Sequence, residues 1–419
     1  MPSTLQGTFH SYRIIRRLGQ GAFGEVSLAL VLETGELVAL KRIHIRNTAG
    51  IPDVVVRELK ALQSVAHPNV VALRDVFPKG QALYLVQEYC TTDLAALLRK
   101  LPAPPPEAVA KGLFLQLCRG LAALHAEGIM HRDVKPSNTL LCAAAGTAKL
   151  ADCGLARPHD QAAAARPQYT HAVATRWYRA PELLYGARSY GPAVDTWALG
   201  LIWAELLGLA PLVPGDNDID QLGRVTATFG SMESGWEGVR SLPDWGKISF
   251  PACDPVPLDR LLPGAPEPAL RFLGEFLRYD PAQRISPAEA LRHPYLTSTA
   301  PAPADESELA AWLTAALSSA AAADAVAKRA AAAARPGAGA PAKGGPPPLL
   351  EAIFGPVEGP MGPDAEAEAE AEALQQQQLA AAAAGGPGAA EPLPAAVSGL
   401  APPPLPPPLA AAWEALPLL

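Results

Sequence analysis

Residues 131–138 of this 419-residue chain read His-Arg-Asp-Val-Lys-Pro-Ser-Asn, and residues 152–154, fourteen positions after that asparagine, read Asp-Cys-Gly. Phosphoryl transfer from a nucleotide needs a carboxylate that orients the attacking hydroxyl, a lysine, and oxygen ligands that hold Mg²⁺ near the γ-phosphate. Few other reactions need this whole set, so the stretch predicts phosphoryl transfer. The residues concerned are Asp133, Lys135, Asn138 and Asp152.

A glycine-rich segment, residues 19–26, reads Gly-Gln-Gly-Ala-Phe-Gly-Glu-Val. This spacing is weak evidence alone, because it also occurs in dinucleotide-binding folds and in ordinary turns. In the dinucleotide fold a helix follows the last glycine, whereas here residues 25–32 and 37–43 are typical of a strand pair. A dinucleotide enzyme is therefore disfavoured, and the loop is expected to cover the phosphates of a nucleotide.

Lys41 ends an apolar strand and would ordinarily be an exposed edge charge. Glu58 falls on a helix predicted from about residue 52 to residue 65, where Val55, Leu59 and Leu62 make one apolar face. A lysine–glutamate pair held against the α- and β-phosphates is a switchable part of kinase sites. Because three independent segments agree, we favour a catalytic pair over an edge charge.

The pattern of the remaining chain indicates two unlike halves. Up to about residue 88 the sequence reads mainly as short strands, near residues 12–18, 71–77 and 82–88 besides the two above. From about residue 93 to residue 296 helical periodicity dominates, for example over residues 109–125 and 194–207. We predict an α+β fold with a small β-rich lobe that carries one main helix, and a larger, mostly helical lobe.

The net charge of −7 is unevenly distributed. From Thr297 onward there are 13 acidic and 4 basic residues, which leaves 28 acids and 30 bases in the first 296 residues. The acidity therefore belongs to the C-terminal part. No basic stripe with interleaved aromatic residues occurs, so nucleic acid is not an expected partner.

Composition changes sharply near residue 298, beyond which the chain is rich in Ala and Pro. An acidic repeat (366–372), four glutamines (375–378) and a proline run (402–408) lie there. Such sequence has too few large apolar side chains to offset the entropy of ordering. Residues 298–419 are predicted to form a disordered tail, with partial helix in Ala-rich pieces such as residues 306–335. The proline run fits an SH3-like or WW-like groove, but ordinary low-complexity sequence is the favoured explanation in so Ala- and Pro-rich a chain.

The five cysteines are scattered and include no Cys-x-x-Cys pair, so neither a disulfide framework nor a zinc site is suggested. The first ten residues contain no apolar signal segment, and no long apolar run free of charge and proline occurs outside Ala-rich sequence. We expect a protein of the reducing cytoplasm or nucleus, neither secreted nor inserted into a membrane. The cysteines are Cys90, Cys118, Cys142, Cys153 and Cys253.

Together these segments resemble the protein kinase superfamily over residues 12–296, with an N-lobe of about 12–88 and a C-lobe of about 93–296. The resemblance implies that Asp133 orients the substrate hydroxyl, that Lys135 neutralises charge on the transferring group, and that Glu182 and Arg284 form a buried structural ion pair. It also implies ATP as phosphate donor and Mg²⁺ held by Asn138 and Asp152. In chain order the matching residues are Gly19, Gly21, Gly24, Lys41, Glu58, His131–Asp133, Lys135, Asn138, Asp152, Gly154, Ala180–Glu182, Asp195 and Arg284.

The same resemblance implies an ATP site between the lobes. Backbone groups of Glu88 and Cys90 would bond the adenine edge, Asp93 would approach the ribose, and Gln87 would be an unusually polar residue at the back of the pocket. Val26, Ala39 and Leu140 would sandwich the base. The whole implied set is Leu18, Gly19, Gln20, Gly21, Ala22, Phe23, Gly24, Glu25, Val26, Ala39, Lys41, Glu88, Cys90, Asp93 and Leu140.

Lys135 with Thr175 downstream is similar to the serine/threonine kinase arrangement. Residues 175–182, Thr-Arg-Trp-Tyr-Arg-Ala-Pro-Glu, resemble the cyclin-dependent and mitogen-activated branch, in which Arg179 implies a preference for Ser-Pro and Thr-Pro sites. Longer segments resemble the cell-cycle-related kinase subfamily, which implies a role in cell-cycle or cilium and flagellum-length control, and a cyclin or another activator. These segments are residues 169–175, 183–190, 217–222 and 242–250, whereas residues 51–58 resemble the helix signature of the cyclin-dependent kinases in degenerate form.

Thr170 stands where these kinases carry their activating threonine. A phosphate added there by an upstream kinase would bring nearly two negative charges, for which Arg57, Arg132 and Arg157 are the matching cations. An exposed loop threonine is the simpler alternative. We expect Thr170→Ala to lower activity several-fold. Ala22 and Phe23 replace the inhibitory hydroxyl residues of related loops, so no such phosphorylation is expected there.

Cys153 replaces the usual phenylalanine between Asp152 and Gly154, which predicts lost apolar packing against the Glu58 helix. A small packed residue is favoured over a redox-sensitive thiol, because no neighbour in sequence lowers its pKa. The substitution and the long tail favour one rival function, a pseudokinase scaffold that binds partners. That rival is disfavoured because a scaffold has no need to retain the five groups Lys41, Glu58, Asp133, Asn138 and Asp152.

Overall fold

The computed structural model describes residues 4–21, 24–45, 53–159, 169–171 and 173–333. These residues form the two lobes that the sequence predicts. The N-terminal lobe holds one antiparallel sheet, in the order β1-β2-β3-β4-β6-β5, and helix α1. Its elements are β1 (Thr4–Gln6), β2 (Ser11–Gly21), β3 (Gly24–Val31), β4 (Leu37–His44), α1 (Asp53–Ser64), β5 (Leu73–Lys79) and β6 (Ala82–Glu88).

Period-two alternation explains how this sheet buries both faces. In β6, Leu83 and Leu85 pack against α1, whereas Ala82, Tyr84 and Val86 face a second cluster on the opposite side. Successive side chains of a strand point to opposite faces, so one strand supplies both clusters. Lys41 pairs with Leu85 in register and therefore lies on the face that α1 covers. The short strand β1 had no sequence prediction.

The C-terminal lobe is helical, with two small sheets beside the junction of the lobes. β7 (Thr92–Asp93) pairs with β9 (Thr139–Cys142), which pairs with β10 (Thr147–Leu150); β8 (Ile129–Met130) pairs with β11 (Arg157–Pro158). The helices are α2 (Leu94–Lys100), α3 (Glu107–Ala126), α4 (Pro181–Leu184), α5 (Ala193–Gly208), α6 (Asp218–Phe229), α7 (Met232–Gly235), α8 (Leu258–Leu261), α9 (Glu267–Phe276), α10 (Pro287–Ala290), α11 (Pro294–Thr297) and α12 (Glu306–Ala333).

Aromatic packing fixes the centre of the C-terminal lobe. Trp203 of α5 lies with its ring centroid 4.9 Å from that of Phe114 on α3, and Phe272 of α9 lies 5.8 Å from the same Phe114 ring. All three side chains are fully buried. Because large aromatic side chains bury the most apolar area, this triple contact holds α3, α5 and α9 as one unit.

Helix α12 confirms the helix predicted within residues 306–335, but its docking on the C-terminal lobe corrects the prediction that the tail is disordered from residue 298 onward. Leu309 and Leu313 are fully buried against the C-terminal lobe, and the Nζ of buried Lys111 donates to the carbonyl oxygens of Thr299 (3.0 Å) and Pro301 (2.9 Å). The helix passes so close to Gly146 that a Cβ there would overlap the carbonyl oxygen of Glu306. Composition hides this contact, because two buried leucines suffice to dock an Ala-rich helix. Residues 334–419, with the acidic repeat and the proline run, lie outside the described residues.

Candidate active site

The loop between β8 and β9 is held in place by one buried carboxylate. Asp195, in the first turn of α5, accepts hydrogen bonds from the backbone N–H groups of His131 (2.8 Å) and Arg132 (2.7 Å), and its Oδ2 lies 2.9 Å from the Nε2 of His125. Burial alone would raise the pKa of Asp195, but the bond with His125 and the nearby histidines lower it. Asp195 therefore stays ionised and holds the backbone of His131 and Arg132 in place. Arg132 adopts a left-handed backbone conformation, with a φ of 65°.

Asp133 is the centre of a polar network at the end of this loop. Its Oδ2 lies 2.8 Å from the Nζ of Lys135 and accepts a bond of 2.9 Å from the Nδ2 of Asn138. Its Oδ1 accepts from the backbone N–H of Thr175 (3.0 Å) and from the hydroxyl of the same residue (3.1 Å). Lys135 also donates to the Thr175 hydroxyl at 2.7 Å. The structure thus brings together four of the predicted catalytic and metal residues, and one carboxylate is oriented by three of them.

Asp152 lies after β10, in the left-handed backbone region with a φ of 60°. Its Oδ1 is 3.4 Å from the Nζ of Lys41, and nearly half of its side-chain surface (46%) is exposed to the cleft. Burial works to raise the pKa of Asp152, but Lys41 and His131 outweigh it and lower the pKa. The carboxylate is therefore ionised and open to a ligand.

Asp152 and Asn138 fit a magnesium ion. The Nδ2 of Asn138 donates to Asp133, which leaves the amide oxygen of Asn138 as the atom able to act as a ligand. Mg²⁺ prefers oxygen ligands and is usually held by one or two side chains together with water and substrate phosphates. The pair of oxygen donors matches that requirement.

The predicted lysine–glutamate pair is formed. The Nζ of Lys41 donates to both carboxylate oxygens of Glu58 on α1, each at 2.8 Å. Burial alone would lower the pKa of Lys41, but the carboxylates of Glu58 and Asp152 raise it. Burial raises the pKa of Glu58, Lys41 opposes that rise, and Asp152 adds to it. Gln87, the polar residue singled out beside the pocket, places its Nε2 3.5 Å from a Glu58 oxygen.

The glycine segment lies in the hairpin of β2 and β3, and two of its glycines have different structural roles. A Cβ on Gly24 would overlap the backbone carbonyl of Arg42, so this glycine is required by the close approach of β4. Around Gly19, by contrast, no atom of the described residues beyond its two chain neighbours lies within 4 Å of the position a Cβ would take. Space above Gly19 is thus open to a ligand. Leu18, Gln20, Gly21, Glu25 and Val26 lie on the same two strands, whereas Ala22 and Phe23 lie outside the described residues.

The connection after β6 carries the predicted adenine contacts. The N–H of Glu88 already donates to the carbonyl of Ala72 (3.1 Å), so only the carbonyl of Glu88 can serve a base. Asp93 accepts a bond of 2.8 Å from the N–H of Ala96, which makes it the N-cap of α2 as well as the predicted ribose neighbour. Leu140 pairs in register with Asp93, and Ala39 pairs with Gln87, so both predicted base contacts flank this connection.

The structure corrects the expectation that no disulfide forms. Cys90, in this connection, and Cys142, the last residue of β9, are joined, with their Cα atoms 4.3 Å apart. The pairing of β7 with β9 brings the two cysteines together although 52 positions separate them in the chain. Scattered spacing hides such a pair, because only the strand register makes them neighbours.

Cys153 is fully buried, and burial raises the pKa of its thiol. Its turn, residues 153–155, packs against α1, so the prediction of a small packed residue is confirmed, whereas the loss of packing relative to phenylalanine stays a prediction. An ordinary buried thiol is neutral and therefore unreactive.

Thr170 is exposed, and its surroundings reveal a residue that the sequence analysis missed. The hydroxyl of Tyr190 donates to the carbonyl of Thr170 (2.6 Å), and the Nη1 of Arg132 donates to the same hydroxyl (2.6 Å). Tyr190 thus connects the catalytic loop to the activation segment. Tyr190 is the last residue of segment 183–190, which the sequence analysis had quoted, and that position could have identified it. Arg57 lies on α1 and Arg157 on β11, and their part in binding a phosphate stays a prediction.

Comparison with known proteins agrees with this geometry. The family model described as protein kinase domain matches residues 12–296. Cyclin-dependent kinase 20 of Rattus norvegicus is 48% identical over 301 residues, which cover 71% of this chain and 86% of the rat protein. The human protein of the same name is 46% identical over the same coverage.

A solved structure with the same fold is that of the CAK complex from Chaetomium thermophilum bound to ATP-γ-S. The matching chain is 35% identical, with a TM-score of 0.65, and the match covers 70% of this chain and 93% of the other. Among the residues that the structure describes, no helix combines the length and hydrophobicity that crossing a membrane demands.

Proposed function

Because this chain belongs to the protein kinase family, in its cyclin-dependent branch of serine/threonine kinases, we propose that it is an active, proline-directed enzyme that uses Mg²⁺-ATP. It transfers the γ-phosphate of ATP to serine or threonine hydroxyls of protein substrates. The observation that supports this most is the assembled state of the site: the Lys41–Glu58 pair is closed while Asp133 is oriented by Lys135, Asn138 and Thr175.

Each side chain has a defined task in this proposal. Asp133 accepts a hydrogen bond from the substrate hydroxyl and aims its oxygen at the γ-phosphorus, while Lys135 stabilises the charge that spreads over the transferring group. Lys41, held by Glu58, binds the α- and β-phosphates. Asn138 and Asp152 would hold Mg²⁺, which would neutralise charge on the phosphates.

The preference for proline after the acceptor is supported by the segment before α4. Arg179 donates to the carbonyl groups of Val173 (2.8 Å) and Ala174 (3.1 Å) and to Asp218 (2.9 Å). Ala174 has a φ of 64°, so its carbonyl is turned towards Arg179 and is occupied. The backbone N–H of another substrate residue at this position would find the Ala174 carbonyl already bonded to Arg179. Proline has no backbone N–H and therefore needs no acceptor.

Regulation and biology are proposed from the resemblance and the names of the relatives. An upstream kinase would phosphorylate Thr170, with Arg57, Arg132 and Arg157 as cations, and a cyclin or another activator would bind. We assign the protein to cell-cycle or cilium and flagellum-length control. Binding of an SH3 or WW domain by the proline run stays a prediction.

The test is transfer of labelled phosphate from ATP to a library of Ser-Pro and Thr-Pro peptides by the full chain. Asp152→Ala should abolish transfer, and replacing the proline of each peptide with alanine should lower it strongly. Equal labelling by wild type and Asp152→Ala would remove the enzyme and favour the pseudokinase scaffold. Equal labelling of the proline and alanine peptides would leave a kinase without proline direction.

A further inference from the structure

We propose that Cys90 and Cys142 form a reversible thiol–disulfide site that controls nucleotide binding by tethering the connection between the lobes. The effect on turnover rests on the proposed kinase function. The oxidation itself and its effect on nucleotide affinity do not require phosphate transfer.

The site lies at the junction of two sheets. Cys90 stands between β6, which belongs to the six-stranded sheet, and β7, which pairs with β9 of the C-terminal lobe. Cys142 ends β9, two residues after Leu140. A bond between these cysteines therefore ties the connection between the lobes to the strand that is expected to line the base.

The two cysteines differ from Cys118 and Cys153 in access, and from Cys253 in having a thiol partner. Both are half-buried, whereas Cys118 and Cys153 are completely buried, and burial raises the pKa of both of these thiols. Cys253 is partly exposed but lies near the end of the segment before α8, where its Sγ donates to the carbonyl of Thr226 at 3.2 Å. An oxidant in solution would reach the proposed pair and Cys253, and among the described residues Cys90 and Cys142 are the cysteines with a thiol partner.

Without the disulfide, the connection is held to β9 by hydrogen bonds. The N–H of Thr91 donates to the carbonyl of Leu141 (3.0 Å), and the N–H of Ala143 lies 3.3 Å from the Thr91 hydroxyl. Such bonds open and close as lobes move, whereas a covalent bond does not. Lobe opening and closure often limit kinase-type turnover. Because the tether resists closure of the lobes around a nucleotide, the oxidised protein should bind nucleotide less tightly than the reduced protein.

The chemistry needs a hydroperoxide as oxidant and a dithiol as reductant. The hydroperoxide transfers an oxygen to one thiol, which becomes a sulfenic acid while the peroxide O–O bond breaks and an alcohol or water leaves. The second thiol attacks that sulfur, the S–S bond forms, the S–O bond breaks, and water leaves. A dithiol reverses the step by thiol–disulfide exchange and is itself oxidised to a disulfide.

The test uses the full chain, fully reduced and then treated with hydrogen peroxide. Differential alkylation and peptide mass spectrometry should find a peptide pair linked through Cys90 and Cys142, with Cys118 and Cys153 still free. Affinity for ADP, measured by calorimetry, should fall about fivefold or more, at the lower end of couplings between linked sites, and should recover with dithiothreitol.

Cys142→Ser should bind ADP like the reduced wild type and lose sensitivity to peroxide, whereas Cys253→Ser should remain as sensitive as wild type. The proposal is wrong if no Cys90–Cys142 link forms, if the link leaves ADP affinity unchanged, or if Cys142→Ser responds like wild type. A linked protein with altered ADP affinity but no phosphate transfer would sustain this proposal while overturning the kinase function.

Discussion

The two lobes each contain a buried ion pair between a glutamate and a basic residue, and the pairs differ in how completely they are satisfied. In the C-terminal lobe Arg284 donates to both oxygens of Glu182 (2.7 and 2.8 Å) and to the carbonyl groups of Ala193, Arg278 and Tyr279. Every N–H of the guanidinium is used, and the side chains are 0% and 4% exposed. In the N-terminal lobe Lys41 is shared between Glu58 and Asp152 and keeps 15% exposure towards the cleft.

This difference separates a structural role from a functional one. A guanidinium whose five N–H groups are all bonded has none left to donate to a ligand. The Glu182–Arg284 pair therefore stabilises the fold and takes no part in binding. A lysine between two carboxylates, one of them on a helix and the other partly exposed, retains the capacity to exchange a carboxylate contact for a phosphate. Both pairs resemble family features in sequence, but only their surroundings show which one can change.

The largest expected effect is on stability, from Arg284→Met. Removing one partner of a buried pair leaves an uncompensated charge on Glu182, which costs about 3–5 kcal/mol. Urea unfolding followed by tryptophan fluorescence measures the loss. The double variant Glu182→Met/Arg284→Met should recover part of it, because no lone charge stays buried. A single variant as stable as wild type would break the comparison.

The second effect is on activity, from Lys41→Met. Loss of the phosphate-binding lysine should lower kcat/KM for peptide phosphorylation by about 10²–10³, the range for removing one transition-state contact. The loss of stability should be smaller than that of Arg284→Met, because the raised pKa of Glu58 lets this carboxyl take up a proton. Lys41→Arg keeps the charge and tests geometry. The reverse ranking, with Lys41→Met as the less stable protein, would contradict the assignment of roles.

A third effect tests α12, a part of the C-terminal lobe that contributes to neither pair. Leu313→Ala on α12 should cost about 2 kcal/mol, at the lower end for a buried leucine, because a terminal helix can detach from the lobe. Phosphorylation rates at low temperature should stay unchanged. The matched control is Leu317→Ala, a half-buried leucine one turn later, which should cost less. Unchanged stability in Leu313→Ala would show that α12 contributes nothing to the folded lobe.

The smallest effect is a pH dependence of the N-terminal pair. Because the pKa of Glu58 is raised in the folded state, its proton favours folding. That contribution is complete below the unfolded pKa of about 4.3 and is lost as pH rises through the folded pKa, by about 1.4 kcal/mol for each pH unit that separates the two pKa values. Glu58→Gln mimics the protonated acid, so its stability relative to wild type should improve as pH rises from mildly acidic to neutral.

Lys41→Met provides the control for that pH series. Lys41 lowers the pKa of Glu58, so its removal should raise that pKa further and strengthen the pH dependence. The measurement is the free energy of unfolding of wild type, Glu58→Gln and Lys41→Met across the same pH series. A constant difference between wild type and Glu58→Gln would mean that Glu58 titrates alike in both states.

Several elements could be predicted because their signals are local. Short β-branched or aromatic runs bounded by turn or charged residues placed β3, β4 and β6, and the spacing of Val55 and Leu59 placed α1, each within a few residues of its bounds. Lys41 and Glu58 were paired in advance, because family order and helix periodicity agree. β1 was not predicted, because a strand of three residues is too short to show a periodic pattern.

Other features depend on contacts between distant segments and left no local signal. Tyr190 meets Arg132 across 58 positions of chain, and the Nε2 of His125 meets Asp195 across 70. The docking of α12 needs a residue without a side chain at position 146, because a Cβ there would overlap the helix backbone. This requirement is visible only in the folded structure.

By itself the order of residues predicted the chemistry: a carboxylate, lysine, carboxamide and second carboxylate form a set that few reactions other than phosphoryl transfer need. Strand and helix periods predicted the two lobes. Tertiary structure alone decided that Lys41 is shared by two carboxylates, that Arg284 is saturated, and that Cys90 meets Cys142. The reason is physical: periodicity records which face of an element is buried, whereas strand register and helix packing decide which side chains from distant segments come within bonding distance.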